Sequence, residues 1–468
     1  MAILLLLVSS NVAIAADKPN VVLVLVDDLG WMDLSCQGAT CYETPHIDKL
    51  AESGVRFSNG YAACAVCSPT RAAVQSGRYP HRTGVTDWIR ARFQGGQIPK
   101  DKKNPCWRPK ERWISRGKLV VPPNALWMES EEITIAEMLK PAGYKSCYIG
   151  KWHLGTDPWY PTEQGYDFNF GGCDFGQPPN YFDPYSNKLP GLPGRKKGEY
   201  LTDREADEAA MFIRKHKDEP FFLMLANYAV HTPIQAKKDA IAKCKAKFKN
   251  KTVTRPKNFA YAAMVESVDD AVGKVVATLD ELKLSEKTLI IFTSDNGGLA
   301  HVTDNKPLRS GKGYPYEGGI RVPFIVKWPG VAREGVTSDQ PVISMDIMPT
   351  IAAAVGAELP KTDIDGKDLK PLLTGKGTLD RKTLYWHFPH YRHPPGPYSI
   401  IRDGDWKLIK WYEGETALFN LKEDMGEKDE LSATMPEKLK ELEDKLMTHL
   451  KATTDRIPFA RTKGQTGS

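Results

Sequence analysis

The chain has 468 residues, 41% hydrophobic and 26% charged, with a net charge of +6 at neutral pH. That is enough apolar material for one large domain with an accessory piece, or for two to three ordinary domains. The small positive balance permits an anionic ligand without arguing for one, and no arm of the kind that binds nucleic acid is visible.

In chain order, residues 1–16 ("MAILLLLVSSNVAIAA") form a short apolar run ending in a small-residue A-x-A pattern. This is the shape of a secretory signal peptide cleaved after Ala15 or Ala16, though no Lys or Arg precedes the run. The expected location is secreted or periplasmic. No later segment approaches the roughly twenty apolar residues of a membrane span. Next comes "NVVLVLVDDLG" (20–30), Val and Leu without interruption, which predicts a parallel strand covered on both faces. "YKSCYIGKWH" (144–153), "PFFLMLANYAVH" (220–231), "TLIIFTSDNGG" (288–298) and "VPFIVKWPG" (322–330) repeat the pattern. Helical candidates lie between them, among them "TPHIDKLAESG", "DREADEAAMFIRKHK" and "YAAMVESVDDAVGKVVATLDELK". The alternation predicts an α/β fold, a large mostly parallel sheet sandwiched by helices. Beyond "DLKPLLTGKG" the character changes. "YSIIRDGDWKLIKWYEGETALFNL" predicts antiparallel hairpin strands and "PEKLKELEDKLMTHLKAT" a closing helix, with a boundary near residue 376. The units are then 1–16, 17–376 and a smaller C-terminal sheet plus helix over 377–468.

Ligands of parallel α/β sheets bind beyond the carboxyl ends of the strands. The first run delivers Asp27 and Asp28 there, and the fourth delivers Asp295 and Asn296 before two glycines. Adjacent carboxylates repel, and either pair alone reads as a strand-ending turn. Two such ends in one sheet make a shared cation the better account, and four oxygen donors favour Ca²⁺ or Mg²⁺ over zinc. The second run ends in Lys151 and His153 and the third in His231, where a general acid or base is wanted. "NKPLRSGKGYPYEGGIRVP" brings Lys312 to the same region on a glycine-rich loop. In "CSPTR", Cys67 opens a helix in which Pro69 takes an early position, so Cys67 and Arg71 stand at a positive helix end suited to an anion. A thiol matches calcium poorly, however, and oxygen would make better sense there. Eight cysteines are too few for a disulfide scaffold. Whether Cys36 and Cys41 close a small loop is open.

With these residues in view the chain resembles the type I sulfatases, the formylglycine-dependent branch of the alkaline-phosphatase-like superfamily. The resemblance rests on "DDLG", "CSPTR" continuing into "SGRYPHRTG", "GKWHLG", "SDNGG" and "GKGYPYEGGIRVP", in the family's order. It implies that Cys67 is oxidised by a separate maturation enzyme to Cα-formylglycine, whose hydrate gives the metal its missing oxygen ligand. It further implies that Asp27, Asp28, Asp295 and Asn296 bind the metal, usually calcium. One hydroxyl of residue 67 attacks sulfur and the other drives sulfate release. Arg71 would steady the hydrate and Lys151 bind sulfate. His153 would act as base, His231 protonate the departing sugar oxygen, and Lys312 bridge sulfate and leaving group. Histidine as a metal ligand is the rival role for His153 and His231.

The leaving alcohol is set by other loops. Residues 88–118 carry ten Lys and Arg against Asp101 and Glu111, which suits a polyanionic glycan about as well as plain solvation. "YWHFPHYRH" (385–393) offers His387, His390 and His393 as a sugar-contacting rim or as a packed hinge. Asp174, His301, His387 and His390 are the candidate substrate contacts, Asp174 being, with Asn180, a weaker one. The expected substrate is a sulfated carbohydrate such as an N-acetylgalactosamine or galactose sulfate. The alternatives are a phosphonate or phosphate diester hydrolase of the same superfamily and a non-catalytic glycan-binding protein.

Overall fold

The computed structural model describes residues 18–89, 114–249 and 255–462. The candidate signal peptide and most of the basic stretch 88–118 lie outside the described residues.

Strand β1 (Asn20–Val26) is buried along its whole length. Val22, Val24 and Val26 enter one apolar core, and Val21, Leu23 and Leu25 enter a second on the opposite face. Side chains alternate across a strand, so an uninterrupted apolar run is stable only with cover on both sides. The cover is helical. α1 (Pro45–Glu52), α3 (Leu201–Lys215) and α4 (Phe259–Glu281) pack into the first core, while α2 (Cys67–Ser76) and α5 (Ile347–Val355) pack into the second.

Among the described residues the large sheet has seven further strands: β2 (Val55–Phe57), β3 (Lys145–Gly150), β4 (Phe168–Phe170), β5 (Phe221–Ala226), β6 (Thr288–Ser294), β7 (Phe324–Lys327) and β8 (Val336–Ser338). Their order is β8-β2-β7-β6-β1-β5-β3-β4. β1 is parallel to β5 and β6, and β3 is parallel to β5 and β4. β7 runs antiparallel to both β6 and β2, so the sheet is mixed. The connection from Ser294 stays at the end where β6 finishes, and its glycine-rich loop contains no long helix to carry it back. Phe324, opposite Thr293, therefore starts a strand in the reverse sense.

A second sheet is antiparallel in chain order: β9 (Thr383–Phe388), β10 (Tyr398–Asp403), β11 (Trp406–Trp411) and β12 (Ala417–Asn420). One face places Leu384, Trp386, Ile400 and Ile409 against Tyr61, Ala63, Val66 and Ile343 of the larger part. The other face places Ile401, Leu408 and Leu418 under Leu442, Leu446 and Leu450, the apolar stripe of α6 (Pro436–Thr453). Residues 389–397 join β9 to β10 as a hairpin loop. The seam between the two parts also buries charge. Lys407, fully buried, lies 2.9 Å from Glu317 and 2.7 Å from Glu427, and Arg321 adds a 2.8 Å contact to Glu317. All seven described cysteines are free, so Cys36 and Cys41 close no loop.

Histidines line the same seam. His81 stacks on Tyr79 at 5.1 Å and meets His387 and His449 edge-on at 6.0 and 5.7 Å. Burial, reinforced by the two other rings, holds His81 well below the usual histidine range; burial brings His387 and His449 down to about 4. In the unfolded chain these groups take up protons below about pH 6.5. With lower folded values, the unfolded state binds more protons from pH 6.5 down to about 4, so stability falls as pH falls. Urea midpoints should drop steadily between pH 7 and 4.5, each buried histidine contributing up to roughly 1.4 kcal/mol per pH unit. A His81→Phe variant should show a shallower decline; an unchanged slope would exclude this origin.

Candidate active site

The strand registers bring the chemistry together. Val26 lies opposite Ser294, so Asp27 and Asp295 leave neighbouring strands side by side. Gly150 lies opposite Ala226, and the Lys151 amide donates to the Ala226 carbonyl at 2.7 Å, which sets Lys151 at the same edge. Successive strand residues face opposite ways, yet the carboxylates of Asp27 and Asp28 converge. Asp28 achieves this in the left-handed region at φ 61°, an uncommon conformation for a residue with a side chain. His153 shares it at φ 58°.

Three cations face three carboxylates, all of them buried. Lys151 Nζ is 2.7 Å from Asp27 Oδ2, Lys312 Nζ is 2.5 Å from Asp28 Oδ1, and Arg71 Nε is 2.8 Å from Asp295 Oδ2. Arg71 also donates to the Lys151 carbonyl at 2.5 Å. Burial pushes Asp27 well above the carboxylate range against the pull of Lys151. For Asp28 the same burial is overcome by Lys312 and His231, and for Asp295 by Arg71 and Lys151, so both fall below that range.

Despite these pairs, Asp27 Oδ1, Asp28 Oδ2 and Asn296 Oδ1 are buried with no hydrogen-bond donor. Buried acceptors rarely go unmatched, because each forfeits its hydration. Three hard oxygens from two adjacent strand ends fit a divalent cation such as calcium or magnesium. Ligand atoms of Asp27, Asp28 and His231 lie within 4.8 Å of one another. His231 therefore stands nearer the carboxylates than a purely acid–base role requires. Its Nε2 is 3.6 Å from Asp28 Oδ2, and its Nδ1 is 3.0 Å from the Thr232 carbonyl. Burial and Lys312 bring His231 down to about 3.

Cys67 is the first residue of α2, preceded by Val66 in an extended conformation and buried to 3% exposure. Its Sγ lies 3.3 Å from His153 Nδ1, while His153 Nε2 lies 2.9 Å from the Ile89 carbonyl. A carbonyl only accepts, so Nε2 carries the proton and Nδ1 is free to accept from residue 67. Burial and Lys151 keep His153 well below the histidine range, in keeping with a neutral ring.

The remaining candidates lie at varying distances from this cluster. Asp174 belongs to the loop that covers His153: the His153 amide donates to the Cys173 carbonyl at 2.8 Å, and a Cβ on Gly176 would lie 2.7 Å from the ring. Asn180 is half-buried and bonds the Phe182 amide. His301 is exposed beyond Gly298. His387 and His390 do not form a rim. His387 spends both ring nitrogens on Ser399 and the Arg456 carbonyl, at 2.7 and 3.0 Å, and His390 bonds Thr86 at 2.8 Å. β9 turns His387 into the seam, and the bond to Thr86 draws His390 inward. Glu205, absent from the sequence reading, braces the turn before His231 by accepting from Asn227 at 2.8 Å and the Tyr228 amide at 3.3 Å. Its signal was a glutamate on the apolar stripe of a helix, four residues from Leu201 and from Ala209.

A family model described as Sulfatase matches residues 19–357, and one described as N-sulphoglucosamine sulphohydrolase, C-terminal, matches residues 311–456. The chain belongs to the sulfatase family. Among similar proteins, arylsulfatase A of Homo sapiens is 32% identical over 88% of this sulfatase and 78% of that protein. N-acetylgalactosamine-6-sulfatase of Mus musculus is 34% identical over 80% of this chain and 69% of its own. The solved structure of Ps i-CgsB in complex with k-i-k-neocarrahexaose superposes with a TM-score of 0.77 at 31% identity, covering 94% of this chain and 93% of that one. The sulfatase is thus a sulfuric ester hydrolase of the alkaline-phosphatase-like fold.

Proposed function

We propose that this sulfatase removes sulfate from a sulfated carbohydrate, with an N-acetylgalactosamine or galactose sulfate as the leading candidate. Its nucleophile would be a formylglycine made from Cys67 by a separate maturation enzyme, and its cation calcium held by Asp27, Asp28, Asp295, Asn296 and residue 67. The observation that carries the reading is Cys67 itself, at the start of a helix whose Arg71 bonds Asp295, and facing the accepting nitrogen of His153. The similarity to N-acetylgalactosamine-6-sulfatase and to a structure holding a hexaose supports the choice of a sugar.

Bound together, the cation would stabilise charge on the sulfate oxygens and the hydrated aldehyde would supply an oxygen nucleophile in place of the thiol. Arg71 holds Asp295 and the Lys151 carbonyl, so it fixes the helix start against both strand ends. Lys151 and Lys312 each donate to one carboxylate and keep further N–H groups for sulfate oxygens. His153 accepts a proton from residue 67 through Nδ1. Burial and the Lys312 charge keep the free ring of His231, the most exposed of these groups at 14%, neutral, and it would protonate the departing sugar oxygen once a bound sulfate offsets that charge. The catalytic unit would cover 17–376 and the smaller unit 377–468, in a protein exported to the periplasm or beyond.

Intact-peptide mass spectrometry across Cys67, on protein made with an active formylglycine-generating enzyme, tests the nucleophile. A peptide lighter by the thiol-to-aldehyde change is expected; an unmodified thiol would overturn the formylglycine assignment. The cation has a readout independent of activity. Calcium at a hundred times its dissociation constant should stabilise the protein by about 2.7 kcal/mol. EDTA should reverse the gain and Asp28→Asn should abolish most of it. Melting curves indifferent to both calcium and magnesium would exclude a cation here.

A further inference from the structure

We propose that Arg392 and His393 form a second anion site at the lip of the active centre, where they bind another sulfate or a carboxylate on the same glycan. The inference rests on the carbohydrate reading above.

Both residues lie on the hairpin loop 389–397, whose earlier histidine, His390, is turned inward. Arg392 and His393 instead reach the catalytic loop. Gly313 follows Lys312 directly, and a Cβ there would lie 2.5 Å from Arg392 Nε and 2.8 Å from His393 Nε2. The two side chains therefore press on the backbone immediately beyond a residue that contacts Asp28. The His393 ring stacks on Tyr314 at 4.1 Å and 3°, which keeps it flat against that arm of the site. The Arg392 guanidinium lies 5.6 Å from the ring centre of Trp88. Trp88 precedes Ile89, whose carbonyl holds His153. Arg392 thus lies close both to the backbone that follows Lys312 and to the ring of Trp88.

Its chemistry is incomplete as it stands. Arg392 Nε is buried without an acceptor, and among the described residues no carboxylate pairs with the guanidinium. A planar guanidinium fork matches sulfate and carboxylate oxygens, and such charge-assisted bonds are the strong ones. An anion held here would be separate from the sulfate under attack, because Lys312 and Lys151 are directed at Asp28 and Asp27 deeper in the site. The site would therefore select substrates that carry more than one negative group.

The test compares kcat/KM on matched oligosaccharides: one carrying only the scissile sulfate, one with an added sulfate, and one with an added carboxylate. Wild type should prefer at least one doubly anionic substrate by about tenfold to a hundredfold, and the preferred arm identifies the anion. Arg392→Gln should bring that ratio close to one, and Arg392→Lys, which keeps the charge and the bulk but not the fork, should retain part of it. The conservative variant keeps the test decisive if Arg392→Gln does not fold. Equal kcat/KM on all three sugars in wild type, or a preference unaltered by Arg392→Gln or Arg392→Lys, would overturn the second site alone. Turnover of an aryl sulfate with none of any sugar would overturn the carbohydrate reading and this inference with it.

Discussion

Replacing Cys67 by Ala will lower turnover of a sulfate ester by about 10⁴-fold or more, the scale on which removal of a covalent nucleophile acts. The fold should survive. Cys67 is buried within a helix whose neighbours Ala72 and Val74 anchor it in the core, so loss of one sulfur atom costs about 1 kcal/mol. The contrast between catalysis and stability is the diagnostic feature. A structural cysteine gives the reverse pattern, with a modest effect on rate and a larger one on melting. Rates on an aryl sulfate, measured beside thermal melts of the same preparations, decide between them. Retention of more than a hundredth of wild-type activity would mean that residue 67 is not the nucleophile.

Replacing Lys407 by Met will destabilise the protein by about 3–5 kcal/mol, because it leaves Glu427 without a cation and Glu317 with only its Arg321 ion pair in a fully buried seam. The partners are not equivalent. Burial raises Glu317, but Lys407 and Arg321 together bring it down to about 2; Glu427 has one cation, Lys407, and the Glu317 amide against burial and the Glu317 charge, and rises to about 7. Glu317 is thus the firm anion and Glu427 the one nearest to neutrality. A double variant, Lys407→Met with Glu427→Gln, should recover part of the loss. Urea titrations give both numbers, and a single-variant cost below about 1 kcal/mol would contradict the network. Activity should fall too, since Glu317 belongs to the loop that carries Lys312.

The parts of this protein that were legible in its sequence are those set by local pattern. The uninterrupted apolar run before Asp27 reads as a strand covered on both faces, which is how it lies, and it sets Asp27 and Asp28 at the strand end. Strand ends pointed to Lys151, His153 and His231, the glycine-rich loop to Lys312 and the helix start to Cys67, and the structure brings Lys151, Lys312 and His231 to the carboxylates and His153 to Cys67. The reversed strand Phe324–Lys327 was not legible, because the direction of a short apolar run depends on where the preceding loop ends. Nor was the fate of His387. A histidine on a strand faces inward or outward according to what covers each side, and here part of the cover is His81, some three hundred residues earlier. The meeting of Arg392 with Gly313 is hidden for the same reason.

The hairpin loop between Phe388 and Tyr398 has a consequence of its own. Its two posts are locked by register and by apolar layers on both faces of their sheet, whereas the loop contributes little to either core. Lengthening such a loop costs only a slowly growing closure entropy, about 0.6 kcal/mol for each doubling. The loop can therefore change length at small cost to the strands, provided the contacts of His390 with Thr86 and of Arg392 and His393 with Gly313 are kept. On the carbohydrate reading proposed above, a graft confined to residues 389–397 would be expected to alter the choice of sugar while the strand-end side chains stay in place.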